Sequence, residues 1–210
     1  MHVRLRKDLL VVSPGETGPE KLAGWLRAHG GQVFRLRNVG GAAVFHAIGP
    51  EDEACRKPIN ISSRSPMPLR LASNFAHTPF VLDDKDYASV EGFWQGLKFP
   101  QAADRLRLAS LHGDEARDAG LSAAAAADAF DYAGRLIRTG TFEHWQLMER
   151  ACVAKFEQNP AARDALLSTG RRPITHRVTP DSRNIPGAIM AEIWTRIREQ
   201  FRKGASHRRG

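Results

Sequence analysis

A proline-bounded stretch running from acidic to basic, GPEDEACRKP at residues 49–58, most constrains how this chain can fold, because it separates two segments of different periodicity. Before it, DLLVVS, QVFRLRNV and AAVFHAIG read as strands, the last two joined at Gly40-Gly41. Between the first and second of these, GPEKLAGWLRAHGG reads as a helix with Leu22, Trp25 and Leu26 on one face. The spacing therefore predicts a small βαββ-like appendage over residues 1–58. After it, an extended INISSRS and a hairpin-like PFVLDDKDYA give way to helical patterns. EHWQLMERACVAKFEQN repeats apolar residues at Leu147, Ala151 and Ala154, and NPAARDALLSTG opens on an Asn-Pro stop and closes on a glycine. GAIMAEIWTRIREQFRKG places Ile189, Ile193, Ile197 and Phe201 at successive i+4 steps, as core scaffolding would. SAAAAADAF is expected to form a short helix from propensity alone. The expected fold class is α+β: a predominantly helical domain over 59–201 with a short hairpin element, preceded by the appendage and followed by a basic tail at 202–210.

Charge narrows the partners. A formal net charge of +8 and a pI near 10.1 favour anions, whether nucleic acid, phosphorylated metabolite or membrane surface. Arg4, Arg6 and Lys7 at one end and Arg202, Lys203, Arg208 and Arg209 at the other supply most of the excess, so contact with DNA or RNA is expected through basic termini. Cys55 and Cys152 form no CxxC pair and are read as reduced and structural. No two of the 8 histidines stand three or four residues apart, so no metal site is expected. With no apolar run long enough to cross a bilayer and no signal-peptide pattern, the expectation is a cytoplasmic protein without membrane contact.

The stretch SVEGFWQGLKFP, 89–100, carries the densest chemistry. Ser89 is the expected N-cap, which puts Glu91 in the first turn, and Val90, Phe93 and Leu97 form a core-facing stripe. Trp94, Lys98, Glu91 and Gln95 follow on one flank of that stripe, at about 40°, 80°, 100° and 140° from Val90. Glu91 and Lys98 are then about 10 Å apart along the axis, close enough for both side chains to reach one ligand. A solvated flank would carry the same spacing; a pocket wall would add the aromatic and the amide between the charges. The positive end of the helix dipole is expected to hold Glu91 ionised with a lowered pKa, suited to a base. Lys98 suits either a nucleophile towards a carbonyl-like carbon or a fixed cation beside phosphate.

LASNFAHTPFVLDDKDYASVEGFWQGLKFP resembles the NADAR, or YbiA-like, family through Ser73-Asn74-Phe75, Pro79-Phe80, Val90-Glu91 and Lys98-Phe99. LMERACVAKFEQNPAARDALLSTG is similar to a later helix of that family and its LL-x-TG segment, and the resemblance spans about 59–198. It implies an N-glycosidase that hydrolyses a bond between ribose C1 and nitrogen, without a cofactor. Known family substrates are phosphoribosylated riboflavin-pathway intermediates and ADP-ribose on guanine bases. By the same resemblance Glu91 is the catalytic carboxylate, Lys98 acts covalently on an opened ribose, and Ser73, Asn74, Phe75, Trp94 and Gln95 line the substrate site. THRVTPDSRNIPGAIM lacks the usual Trp-Gly, leaving Asp181 and Asn184; Asp181 is a candidate second carboxylate or a turn residue after Pro180. Arg64, just before the SNF segment, is a candidate phosphate grip or an ordinary surface arginine. The basic charge leans the substrate towards ADP-ribosyl-guanine in nucleic acid. The alternatives are a riboflavin-pathway substrate or a module that binds ADP-ribose or nucleic acid without turnover.

Overall fold

The computed structural model describes the backbone of four strands in the first 56 residues and residues 57–207 apart from 122, 124–127 and 179–180. It divides into two compact units, Met1–Lys57 and Pro58–Gly210. In the first, β1 (His2–Arg6), β2 (Leu9–Ser13), β3 (Val33–Val39) and β4 (Ala42–Ile48) form one antiparallel sheet in the order β1-β2-β4-β3. Three of these strands match the expectation. The fourth was not expected: HVRLR, noted only for its basic residues, is an edge strand whose own alternation puts Val3 and Leu5 in register with Val12 and Leu10 of β2. The helix expected between β2 and β3 falls outside the described residues, as do Cys55 and Arg208–Gly210.

The second unit is α+β, with helices predominating. A parallel pair of β5 (Ile59–Asn60) and β10 (Ile174–Thr175) ties its two ends together. Two hairpins follow the logic of type I′ turns, which need two residues at positive φ. β6 (Phe80–Leu82) and β7 (Lys85–Tyr87) turn on Asp83 and Asp84 at φ 50° and 58°. β8 (Ala129–Tyr132) and β9 (Arg135–Arg138) turn on Ala133 and Gly134 at φ 52° and 76°. This second hairpin corrects the reading of SAAAAADAF as a helix: Ala129 and Phe130 begin β8, and residues 122 and 124–127 lie outside those described.

Six helices complete the described part: α1 (Val90–Gly96), α2 (Ala102–Ala109), α3 (Gly113–Leu121), α4 (Phe142–Gln158), α5 (Pro160–Leu167) and α6 (Gly187–His207). A 3-10 turn, Leu69–Ala72, leads into the SNF segment. The core gathers Phe93 and Leu97 of α1, Met148 and Phe156 of α4, Leu166 of α5 and Trp194 and Ile197 of α6. Each large side chain buried there stabilises the fold by about 1.5–3 kcal/mol. Both hairpins dock on α1 through aromatic edges: Phe93 meets Tyr87 at 5.2 Å and Tyr132 at 6.2 Å between ring centroids. The expected basic tail is corrected in part, since α6 continues through Arg202 and Lys203 to His207 and Arg202 Nη1 donates to the Gly170 carbonyl at 2.9 Å.

Candidate functional site

Helix α1 is held at both ends by groups its sequence supplies. Ser89 caps it as expected: its Oγ accepts from Gly92 N at 2.9 Å and donates to the Leu111 carbonyl at 2.9 Å. Gly92 is needed because a Cβ there would lie 2.5 Å from the Leu108 carbonyl and 2.7 Å from that of Leu111. The Asn74 carbonyl accepts from Glu91 N at 3.0 Å, so the SNF segment fixes the first turn. The helix is shorter than the 100° wheel assumed. It ends at Gly96, and tighter turns from Lys98 N to Gln95 O and from Phe99 N to Gly96 O place the lysine.

The flank that spacing left open as wet or walled is walled. Glu91, Trp94 and Gln95 are buried at 7%, 7% and 8% exposure, and Lys98 is half-buried. Gln95 Nε2 donates to Glu91 Oε1 at 2.7 Å, while Gln95 Oε1 is buried without a partner among the described residues. Helix α3 covers this row: Lys98 Nζ donates to the Gly120 carbonyl at 3.4 Å, and a Cβ on Gly120 would come within 2.0 Å of Gln95 Oε1.

This cover reverses one expectation. Glu91 has its pKa raised, not lowered: desolvation by burial outweighs the Gln95 hydrogen bond and the charges of Lys98 and Arg117. The dipole of a seven-residue helix cannot offset removal of the carboxylate from water. Lys98 is lowered for the same reason, with Glu91 opposing the shift. Burial thus moves the two groups' pKa values towards each other, Glu91 upward and Lys98 downward.

A cavity of about 280 Å³ opens at the Lys98 end of the row, lined also by Trp94, Phe130, Thr139, His144 and Asn184. A larger one, about 1130 Å³, runs along the other flank of α1 past Phe93 and Leu97 but reaches neither Glu91 nor Lys98. The smaller cavity is the one that Lys98 lines; Glu91 lines neither and stands behind Lys98 in the row. The wall of the smaller cavity is aromatic: the Trp94 and His144 rings stack at 4.0 Å with planes 7° apart, and Phe130 meets His144 edge-on at 4.9 Å. His144 Nδ1 accepts from Gly140 N at 3.0 Å, which leaves the proton of the neutral ring on Nε2. Burial depresses its pKa to about 4, so the ring is neutral at physiological pH.

The structure distributes the remaining expected residues more widely. Ser73 is buried, its carbonyl accepting from Lys155 Nζ at 2.6 Å and its Oγ from Phe75 N at 3.3 Å. The Asn74 amide nitrogen contacts the sulfurs of Met190 and Met148 at 3.2 and 3.6 Å, so its side chain binds α4 and α6 while its backbone serves Glu91. Arg64 is exposed, and no described contact joins it to the α1 row. Asp181 is exposed and accepts from Ser182 N and Gly187 N, both at 2.9 Å, building the turn before α6. That turn presents Asn184, whose carbonyl accepts from Trp145 Nε1 at 2.7 Å, to the cavity. Sequence reasoning missed His144 and Phe130. The N-cap Thr141, which accepts from His144 N, marks the helix start that brings His144 to Trp94, but neither residue signals the pairing by itself.

Residues 67–192 match the family described as bacteriophage protein GP30.3. The chain belongs to that family. A curated relative, the uncharacterized 17.1 kDa protein of the Gp30-rIII intergenic region of Enterobacteria phage T4, is 32% identical over 153 residues, spanning 68% of this chain and 98% of the relative. The NMR structure of E. coli YbiA superposes with a TM-score of 0.53 at 23% identity, covering 71% of this chain and 87% of YbiA. The GP30.3-family chain therefore has a YbiA-like fold, and its family match begins after the N-terminal unit.

Proposed function

We propose that the second unit is an N-glycosidase that cleaves the ribose C1–nitrogen bond of a ribosylated or ADP-ribosylated base, ADP-ribosyl-guanine in nucleic acid foremost. The observation that carries this reading is the buried row on α1. A carboxylate held by Gln95 and raised in pKa stands on a short helix, and in the turn just past that helix a half-buried amine opens on an aromatic-lined cavity. Few structural roles account for both charges being desolvated together.

In the proposed reaction Glu91 delivers a proton to the departing base nitrogen as the C1–N bond breaks and its electron pair moves to the base. Positive character at C1 is met by the carboxylate that remains. Water adds to this C1 and gives its proton to the Glu91 carboxylate; the resulting hemiacetal opens to the C1 aldehyde, to which the free amine of Lys98 adds with expulsion of water to give an imine. Water then hydrolyses the imine and regenerates both groups. The stacked Trp94–His144 wall offers a flat apolar face for a base, and the proton on His144 Nε2 supplies a donor to it. Asp181 acts one step away, through the turn that holds Asn184. Arg64 is assigned no step.

The test is release of free base, followed by mass spectrometry, from ADP-ribosylated guanine in DNA and RNA and from riboflavin-pathway N-glycosides. Release from the first group that disappears in Glu91→Gln supports the proposal. Release only from the second would move the substrate to a phosphorylated metabolite. ADP-ribose bound without release from either would mark a non-catalytic module.

A further inference from the structure

The N-terminal sheet sorts its residues onto two faces of opposite character. Residues in register across antiparallel strands share a face. Val3, Leu5, Leu10, Val12, Phe34, Leu36, Ala43, Phe45 and Ala47 share one, interrupted only by Asn38. The other face collects every charged residue of the four strands. Arg4 stands in register with Val11, Val44 and Arg37, and Arg6 with Leu9, His46 and Arg35. No aspartate or glutamate occurs in any of the four strands.

We propose that this arginine-bearing face of the N-terminal sheet docks on the phosphate backbone of duplex DNA. Its geometry is that of two parallel cationic columns. Arg4 and Arg6 lie on one edge strand, Arg35 and Arg37 on the other, three strand spacings or about 14 Å apart, with the two members of each column about 7 Å apart. A duplex presents phosphate rims across a major groove about 12 Å wide, a separation the two columns match. All four cations are arginine, whose planar fork suits phosphate oxygens, and none is lysine. A single strand is the poorer fit: single-strand platforms stack bases on aromatic side chains, and here Phe34 and Phe45 both belong to the opposite face. Between the columns stand Val11, Val44, Leu9 and His46, a mostly apolar strip, so the contact rests chiefly on charge and shape.

This inference does not depend on the N-glycosidase reading, because its test measures binding without turnover. Fluorescence anisotropy of the full chain is followed against labelled duplex DNA, duplex RNA and single-stranded DNA over a salt series. The variant Arg4→Gln/Arg6→Gln/Arg35→Gln/Arg37→Gln is compared with the tail variant Arg208→Gln/Arg209→Gln. The proposal expects duplex affinity to fall at least tenfold in the sheet variant. The slope of log affinity against log salt should decrease by about 3–4, since each lost phosphate contact removes about 0.9. The pairs Arg4→Gln/Arg37→Gln and Arg6→Gln/Arg35→Gln should each remove about half, which keeps the test valid if the fourfold variant loses its folded circular-dichroism spectrum. Unchanged slope in the sheet variants with loss in the tail variant would overturn the proposal. Tighter binding to duplex RNA, whose major groove is deep and narrow, would also overturn it. So would tighter binding to single strands, or tighter binding to vesicles of anionic phospholipid.

Discussion

Two lysines in this fold are each followed by phenylalanine, Lys98-Phe99 and Lys155-Phe156, and their surroundings set the lysine of the proposed site apart from one that holds the fold together. Lys155 is fully buried on α4. Its ammonium donates to the Ser73 carbonyl and lies 5.2 Å from the Phe156 ring centroid, and burial lowers its pKa to about 7. Lys98 is half-buried, faces the charge of Glu91 and lines a cavity. Desolvation alone therefore does not mark a catalytic amine. Lys155 is the more perturbed of the two, yet what it holds is the SNF segment, whose Asn74 carbonyl in turn fixes Glu91 N. Only Lys98 combines a depressed pKa with a carboxylate and open space.

The largest effect that can break this comparison is on turnover. Lys98→Ala should lower base release by about 10²–10⁴-fold while leaving the melting temperature within a few degrees. Lys155→Met should act through stability, with turnover following the folded fraction. Equal loss of turnover in two well-folded variants would erase the distinction.

The pH dependence of stability separates the two lysines next. Between about 7, the folded value, and the ordinary 10.5, the unfolded chain binds a proton at Lys155 that the folded chain does not. Stability should therefore rise with pH across that window, by at most about 1.4 kcal/mol per pH unit, and Lys155→Met should remove the rise. Lys98 contributes in the same direction but less. Glu91 has the opposite sign: its raised folded pKa makes stability greatest below its ordinary 4.5 and lost as pH climbs through the folded value. Glu91→Gln should thus stabilise the protein near neutrality and not in acid, as urea melts at several pH values would show.

Smaller changes sharpen the site itself. Gly120→Ala forces a methyl group towards Gln95 Oε1 and should cost about 1–3 kcal/mol while displacing the amide that donates to Glu91. Turnover in this variant should fall more than the lost stability explains. At the weakest end, Ala133→Gly relieves a left-handed alanine in the β8–β9 turn and should stabilise by about 1 kcal/mol with turnover unchanged.

What the sequence made legible was local. The Ser89 cap and the hairpin in PFVLDDKDYA follow from residue types acting on their own backbone, and both stand where they were expected, the hairpin turning on Asp83 and Asp84. What it concealed was tertiary. The dipole pointed to a lowered pKa for Glu91 because it is visible in one helix, whereas α3 supplies its cover through Gly120, 22 residues beyond Lys98. His144 carried no local sign of its stack on Trp94, 50 residues earlier. At the end of SAAAAADAF, Ala129 and Phe130 depart from the expected helix because helix propensity says nothing about the Ala133-Gly134 turn that draws them into a strand; residues 122 and 124–127 of that stretch lie outside those described. HVRLR was read as a basic end because charge drew the eye from its alternation, which only pairing with β2 brings out.

The central claim is that Lys98, not Lys155, is the amine that meets the substrate. Sodium borohydride added during turnover of ADP-ribosylated guanine oligonucleotide, followed by peptide mass spectrometry, tests it most directly. The account predicts a reduced ribose adduct on the peptide containing Lys98, absent in Lys98→Ala. An adduct on Lys155, or full turnover by Lys98→Ala with no adduct anywhere, would contradict it.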